Sequence, residues 1–224
     1  MDKLSTRLEM IASLVPNGVN CADIGADHGY LIIELFNRGI INNGYACENK
    51  LGPYTRLKNN IIKVGLLDKI VPELSSGIRT LPNDINAVII AGMGGDTVCD
   101  IINESINKLD QIDYFIISSH SKMEDVRRLL TLKNYYIDNE KSCYDMDQFY
   151  EVSIFKKGYQ NYSSLELKYG PHLLKNKDYN LIKKIQEKLI FNQKLIKNEN
   201  IPSNRIHEID AENNELIHVL ELLK

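Results

Sequence analysis

Over the first two-thirds of the chain, short β-branched apolar runs alternate with longer segments whose apolar residues recur every three or four positions. Those two periods belong to buried strands and amphipathic helices respectively. Leu4, Leu8, Ile11, Ala12 and Val15 keep helical spacing until Pro16-Asn17-Gly18 stops the opening helix. Strands are predicted over residues 19–24, 44–48, 70–74, 87–91 and 114–118, with helices over 30–37, 57–64, 97–106 and 123–132. Such alternation builds a parallel sheet covered by helices on both faces. Pro72 falls inside the third run, and proline is tolerated in a sheet mainly at its edge. That favours the order 3-2-1-4-5, with the third strand outermost. Two more runs, 135–139 and 149–155, flank a polar segment around Asp145 and Asp147 and read as a closing antiparallel hairpin.

From Ser163 the pattern becomes wholly helical. Leu181, Ile182, Ile185, Leu189 and Ile196 form one seam, Ile201-Pro202-Ser203-Asn204 interrupts it, and Ile209, Leu216, Leu220 and Leu223 resume it. An antiparallel coiled-coil hairpin is the simplest arrangement, which divides the chain into an α/β domain over 1–160 and a helical hairpin over 161–224. The first arm is rich in lysine (Lys175, Lys177, Lys183, Lys184, Lys188, Lys194, Lys197) and the second in acids (Glu208, Asp210, Glu212, Glu215, Glu221). Either the arms neutralise each other or the basic arm holds RNA phosphates.

Composition narrows the class of protein. With 224 residues, 43% hydrophobic, the chain can bury one substantial core and a small appendage. No apolar run reaches membrane-spanning length, and Met1-Asp2-Lys3-Leu4 does not open a signal peptide, so a cytoplasmic protein without membrane contact is expected. Cys21, Cys47, Cys99 and Cys143 lie far apart without metal-ligand spacing, so they are expected to be reduced and no metal is expected. The net charge of −3 gives no global attraction to nucleic acid, and any RNA surface must be a local patch. No second large apolar face is evident, so a monomer is expected.

The chemistry concentrates at the ends of the predicted strands. The first strand runs into Ala22-Asp23-Ile24-Gly25-Ala26-Asp27-His28-Gly29-Tyr30, a strand-to-helix turn of the kind that receives nucleotides. A dinucleotide places its pyrophosphate on the amides of such a turn, where the carboxylate of Asp27 would repel it. S-adenosylmethionine has no phosphate and carries a sulfonium and an ammonium, so Asp23 and Asp27 beside Gly25 and Ala26 favour it. Glu48, at the end of the second strand and followed by Asn49, suits the ribose hydroxyls. Ser75-Ser76-Gly77, after the third strand, is placed by position at the adenine, with Ser76 and Gly77 as contacts. The fourth strand ends in Ala91-Gly92-Met93-Gly94-Gly95, beside the transferable methyl, so Ala91, Gly92 and Met93 are expected to meet the cofactor and Met93 the reacting groups. The fifth ends in Ser118-Ser119-His120, which brings His120 to the same rim.

The sheet closed by an antiparallel pair is the architecture of class I S-adenosylmethionine-dependent methyltransferases. More specifically, Lys3-Leu4-Ser5-Thr6-Arg7-Leu8, Val15-Pro16-Asn17-Gly18, the segment 22–31, Ile90-Ala91-Gly92-Met93-Gly94-Gly95 and Tyr169-Gly170-Pro171 resemble the bacterial tRNA (adenine-22 N1)-methyltransferases over nearly the whole chain. The resemblance implies a Rossmann-like sheet of order 3-2-1-4-5-7-6, S-adenosyl-L-methionine as cofactor, and methylation of N1 of adenine 22 in the D-arm region of tRNA. The alternative is a methyltransferase for a small molecule or another RNA. It also implies catalytic roles for Asp27, His28, Tyr30 and Met93, and an active-site position for Arg7, which would contact the cofactor carboxylate or an RNA phosphate unless it pairs with Glu9 or another surface acid. His120 is expected to pack against the target base in place of the amide the family carries there, or else to be an ordinary loop histidine. Two positions depart from the family pattern: Ser75-Ser76 stands where Gly-Asp is usual, and Ser118-Ser119-His120 where Gln-Pro-Asn is usual.

Overall fold

Parallel strands β1 (Val19–Ile24), β2 (Ile41–Glu48), β3 (Ile70–Leu74), β4 (Ala87–Met93) and β5 (Tyr114–Ser119) are joined to the antiparallel pair β6 (Tyr135–Asp145) and β7 (Gln148–Lys157) in one sheet of order β3-β2-β1-β4-β5-β7-β6. The computed structural model describes residues 3–197 and 201–224; Met1 and Asp2 of the opening segment lie outside them. Neighbouring residues on a strand face opposite sides. On β4, Ala87 and Ile89 join one core while Val88 and Ile90 join the other. The first core is closed by α1 (Thr6–Ala12), α2 (Tyr30–Asn37) and α3 (Leu51–Lys63) through Ile11, Ile32, Leu35, Leu57 and Ile61. The second is closed by α4 (Gly95–Asn103) and α5 (Met123–Leu132) through Val98, Ile102, Val126 and Leu130. Both faces being covered, all the carboxyl ends of β1 to β5 meet along one rim, where ligands bind in such sheets. Pro72 is tolerated because β3 is an edge strand paired only with β2.

Several boundaries shift from the expectation. β2 starts three residues earlier than residue 44, α3 begins at Leu51, and β6 continues beyond residue 139 to Asp145. The polar run Asn139-Glu140-Lys141-Ser142 ends a strand on pattern alone, yet here it pairs residue by residue with β7. The pair closes through a two-residue turn at Met146 and Asp147, both with positive φ (49° and 60°), between paired Asp145 and Gln148. Two positive φ values in succession suit the right-handed twist of the flanking strands.

Beyond the sheet, α6 (Ser164–Tyr169) starts with a capping box made by Ser163 and Glu166, and α7 (Pro171–Lys175) follows directly. They precede the hairpin of α8 (Tyr179–Ile196) and α9 (Ser203–Leu222), so the long helices occupy only part of 161–224. Leu181, Ile185, Leu216, Val219 and Leu223 form its core with Leu173 of α7. Toward the tip the apolar seam gives way to buried Asn192, whose Nδ2 donates to Glu212 (2.8 Å) and Asn213 (2.9 Å). A single buried polar pair of this kind sets helix register. Cross-arm charge pairing exists at Lys188–Glu212 (3.4 Å), whereas Lys184 reaches instead to Glu151 of β7 (3.8 Å). Among the described residues, no helix is long and apolar enough to cross a membrane.

Arg127 of α5 is fully buried and joins the two parts of the chain. It donates to Glu140 (2.8 Å), to Glu151, and to the carbonyl oxygens of Leu167 (3.1 Å) and Lys168 (3.3 Å). Glu140 also accepts from Ser153 (2.7 Å) and from the backbone of His172 (3.0 Å). Gly170 makes room for the cluster, since a side chain there would begin 2.7 Å from Glu140 Oε2.

Candidate active site

The β1–α2 turn is strapped to β2: the amides of Gly25 and Ala26 both donate to the carbonyl of Cys47 (2.8 and 3.0 Å). Gly25 adopts a φ of +79°, and a Cβ on it would lie 2.4 Å from the Met93 methyl. Glycine is therefore needed where the β1 turn and the β4 loop approach each other. Asp27 is also left-handed (φ 48°), a conformation that costs most residues about 1 kcal/mol or more and is tolerated best by Asn, Asp and Gly. Its carboxylate lies 3.6 Å from His28 Nε2 and 3.8 Å from Arg56, so the turn is not the bare pair of acids that its sequence suggests. His28 stacks on Tyr30 with ring centroids 5.3 Å apart and planes within 7°. Tyr30 is 44% exposed, an aromatic plate at the rim and not a core residue.

Gly25, Asp27, Glu48, Asn49, Ser76, Ala91, Gly92 and Met93 line one cavity of about 290 Å³ at the ends of β1, β2 and β4. Glu48 is buried, and Oε1 accepts from the Lys50 amide (2.9 Å), which holds the carboxylate at the strand end. Asp23 and Ala26 line an adjoining hollow of about 150 Å³ together with Arg7, His28 and Tyr30, and the two spaces share Gly25, Asp27 and Ala91. Gly77 lines, with Ser75 and Ser76, a neighbouring hollow of about 400 Å³ toward α4, which shares those two serines with the cavity above. His120 donates its amide to the Met93 carbonyl (2.9 Å), and its Nε2 lies 3.7 Å from where a Gly92 Cβ would be. Glycine at 92 thus keeps the β4 end open between Arg7 and His120, which approach it from either side.

Arg7 does not pair with Glu9, because Glu9 is bound by Arg38 through two hydrogen bonds of 2.7 and 2.8 Å. Its backbone amide donates to Asp145 at the β6–β7 turn (3.1 Å), and its guanidinium lies 5.1 Å from the ring centroid of Tyr150. Tyr150 in turn meets His120 edge-on at 5.9 Å. Sequence reasoning missed Tyr150 and Arg56: an aromatic residue in a strand and an arginine in a helix carry no local signal of a site. Among the described residues, no group of three or more His, Cys, Asp or Glu could hold a metal ion.

Electrostatics single out Asp23. Burial raises its carboxyl to about 7, partly countered by Arg7 and reinforced by Glu48. Because the folded protein holds this proton and the unfolded chain releases it near pH 4, the site loses stability as pH rises from about 4 to about 7. Asp23→Asn should remove that component, so unfolding midpoints of variant and parent should diverge in the variant's favour between pH 5 and pH 8; identical pH profiles would rule the shift out. A cationic ligand reverses the balance by favouring the carboxylate. Asp23, Glu48, the open backbone at Gly25 and the roomy rim therefore fit a nucleoside cofactor bearing positive charge.

Comparison with known proteins gives a consistent result. A family model for a methyltransferase domain matches residues 4–153. The tRNA (adenine(22)-N(1))-methyltransferase of Bacillus subtilis (strain 168) is 29% identical over 200 residues, covering 86% of this chain and 84% of the relative. A Streptococcus pneumoniae protein crystallised in complex with S-adenosyl-L-methionine superposes with a TM-score of 0.90 at 28% identity, covering 97% of this chain and 100% of that one. TrmK of M. capricolum, in complex with the cofactor product S-adenosyl-homocysteine, gives 0.88 at 27% identity with 100% coverage of both chains.

Proposed function

From this chain's membership in the methyltransferase-domain family, with tRNA (adenine-22 N1)-methyltransferases among its relatives, we propose that it transfers a methyl group from S-adenosylmethionine to N1 of adenine 22 in tRNA. The observation that carries the reading furthest is the single rim that brings the acids at the ends of β1 and β2, the Gly92–Met93 loop and His120 together. We assign catalysis to 1–160 and tRNA docking to the helical region 161–224, in a monomeric cytoplasmic enzyme without metal.

S-adenosylmethionine, when bound, supplies the electrophilic methyl. Glu48 accepts hydrogen bonds from ribose hydroxyls, as an acid at the end of β2 does in nucleotide-binding sheets. Asn49 and Ser76 line the nucleoside end of the cavity, and the Ser76 hydroxyl accepts from the adenine amino group. Asp23 and Arg7, facing the adjoining hollow, carry the charges that match an ammonium and a carboxylate. Adenine N1 already has a lone pair, so the protein does most by positioning. The target base must leave its stack, at a cost of about a few kcal/mol. Tyr30, paired with His28, offers a face for stacking, and His120, backed by Tyr150, approaches Gly92 at the end of β4. Methylation at N1 makes the ring cationic, and the Asp27 carboxylate stabilises that growing charge while accepting from the exocyclic amino group.

Labelled S-adenosylmethionine with two tRNA transcripts that differ only by adenine or guanine at position 22 tests the proposal. Label on the adenine transcript alone is expected; label on both, or on neither with cofactor binding intact, would move the substrate elsewhere. Glu48→Ala should weaken cofactor binding roughly ten- to a hundredfold, the loss of about one charge-assisted hydrogen bond or slightly more. Unchanged affinity by titration calorimetry would remove Glu48 from the ribose.

A further inference from the structure

We propose that the cavity on the far side of His120 receives the RNA nucleotide next to the target adenine, its phosphate among Lys122, Lys168 and Lys184 and its base along Phe149. The inference rests on the tRNA reading above. The cavity measures about 420 Å³ and lies between the β5–α5 loop, β7, α6 and α8. That is within the range of pockets holding a single small ligand, roughly 300–1,000 Å³. His120 is the partition: it lines this cavity and also approaches Gly92 on the acceptor side. A nucleotide here would therefore follow directly on a base presented at Gly92.

The loop that forms one wall is built to hold its shape. Ser119 Oγ donates to the Ser121 carbonyl (2.6 Å), the Gly95 amide donates to the same oxygen (3.0 Å), and a Cβ on Gly95 would meet Ser121 and Lys122 backbone oxygens at 2.6 and 2.7 Å. Lys122 is held left-handed at φ 52°, strain that a loop retains only when its surroundings impose it. The opposite wall carries Phe149 with the Lys184 ammonium over its ring, 4.2 Å from the centroid, so a base that stacks there takes the place of the ammonium, which is then released toward the phosphate. Single-stranded nucleic acid is held by that combination, cations for the backbone and rings for the bases.

Two carboxylates also face the space, Glu124 and Glu151. Each is already bridged from behind by a guanidinium, Glu124 by Arg128 (2.7 Å) and Glu151 by buried Arg127. Of the three lysines, Lys122 touches Asp96 (2.7 Å), Lys168 touches Glu215 and Lys184 touches Glu151 (3.8 Å). Among the residues that line the cavity, three lysines face two carboxylates; with every partner counted, including Glu140 on Arg127, five positive groups meet five carboxylates.

Methylation kinetics with adenine-22 transcripts carrying an abasic residue at position 21 or 23 test this. In the parent, one of the two abasic transcripts should raise KM roughly tenfold, the loss of one base–aromatic stack. Phe149→Ala should raise KM on the intact transcript by a similar factor, and the abasic change should then add little. Phe149→Tyr should restore parental behaviour, and Lys184→Gln should raise KM and lower the salt dependence of binding by about one ion. Values of kcat and cofactor affinity should not move. The proposal is overturned if the parent methylates adenine 22 but ignores both abasic positions, or if the Phe149→Ala and abasic penalties add in full. No methylation of the intact transcript by the parent would instead overturn the tRNA reading, and this inference with it.

Discussion

Asp27→Asn is expected to slow methyl transfer about a hundred- to a thousandfold, the usual effect of removing one preorganised electrostatic group from a reaction centre. Asparagine tolerates the left-handed backbone at 27, so the turn should survive and only the charge be lost. Asp27 is partly solvated and has His28 and Arg56 as neighbours, so its charge contributes modestly to the resting protein. Its value appears when the methylated ring becomes cationic in a site closed by substrate. Cofactor affinity should therefore change by only a few fold, because Glu48 and Asp23 remain. A variant that turns over within threefold of the parent at saturating tRNA would pass the role to another group. Asp27→Ala should be worse on both counts, since alanine also strains the turn.

Arg127→Ala should cost about 3–5 kcal/mol of stability, read as a shift in urea unfolding, because it leaves the fully buried Glu140 without its partner. It should also open the segment between β7 and α6 to proteolysis, since the guanidinium is what ties α5, β6 and β7 to the carbonyl oxygens ending α6. A change below about 1 kcal/mol would mean that water or relaxation replaces the network. Joint replacement of Arg127 and Glu140 by apolar residues of similar volume should recover much of the loss. Glu151 adds a pH signature: burial raises its carboxyl, but Arg127 and Lys184 outweigh that and hold it below the ordinary carboxylate range. Its contribution is present at neutral pH and is lost as acid protonates it, so the docked hairpin should loosen at low pH.

β1 and α2 have the bounds that the hydrophobic pattern predicts, since period and composition there agree with burial. β3 also keeps its predicted bounds, as an edge strand that buries only Ile70. Pattern failed where tertiary partners replace apolarity. β6 runs through Glu140 because a buried arginine from another element neutralises it, and no local window contains that arginine. The hairpin tip is likewise held by Asn192, a residue that reads as surface.

At the candidate site the same division holds. Residues supplied by strand ends, Asp23, Gly25, Glu48 and the Gly92–Met93 loop, can be named from the chain alone, because parallel strands in a two-faced sheet deliver their carboxyl ends to one rim. For Gly77 the rule gives only the strand end, since a position after a strand does not say into which of two neighbouring hollows the loop turns. Tyr150, Arg56 and the cavity behind His120 depend on contacts between residues far apart in the chain, as does the rise of Asp23 to about 7. Local patterning sets which segments become strands and helices and which turns need glycine, because periodicity and positive φ are properties of short stretches. Which charges are buried, which rings face each other and where a second nucleotide would fit follow from long-range packing, because desolvation and contact exist only once the layers have closed.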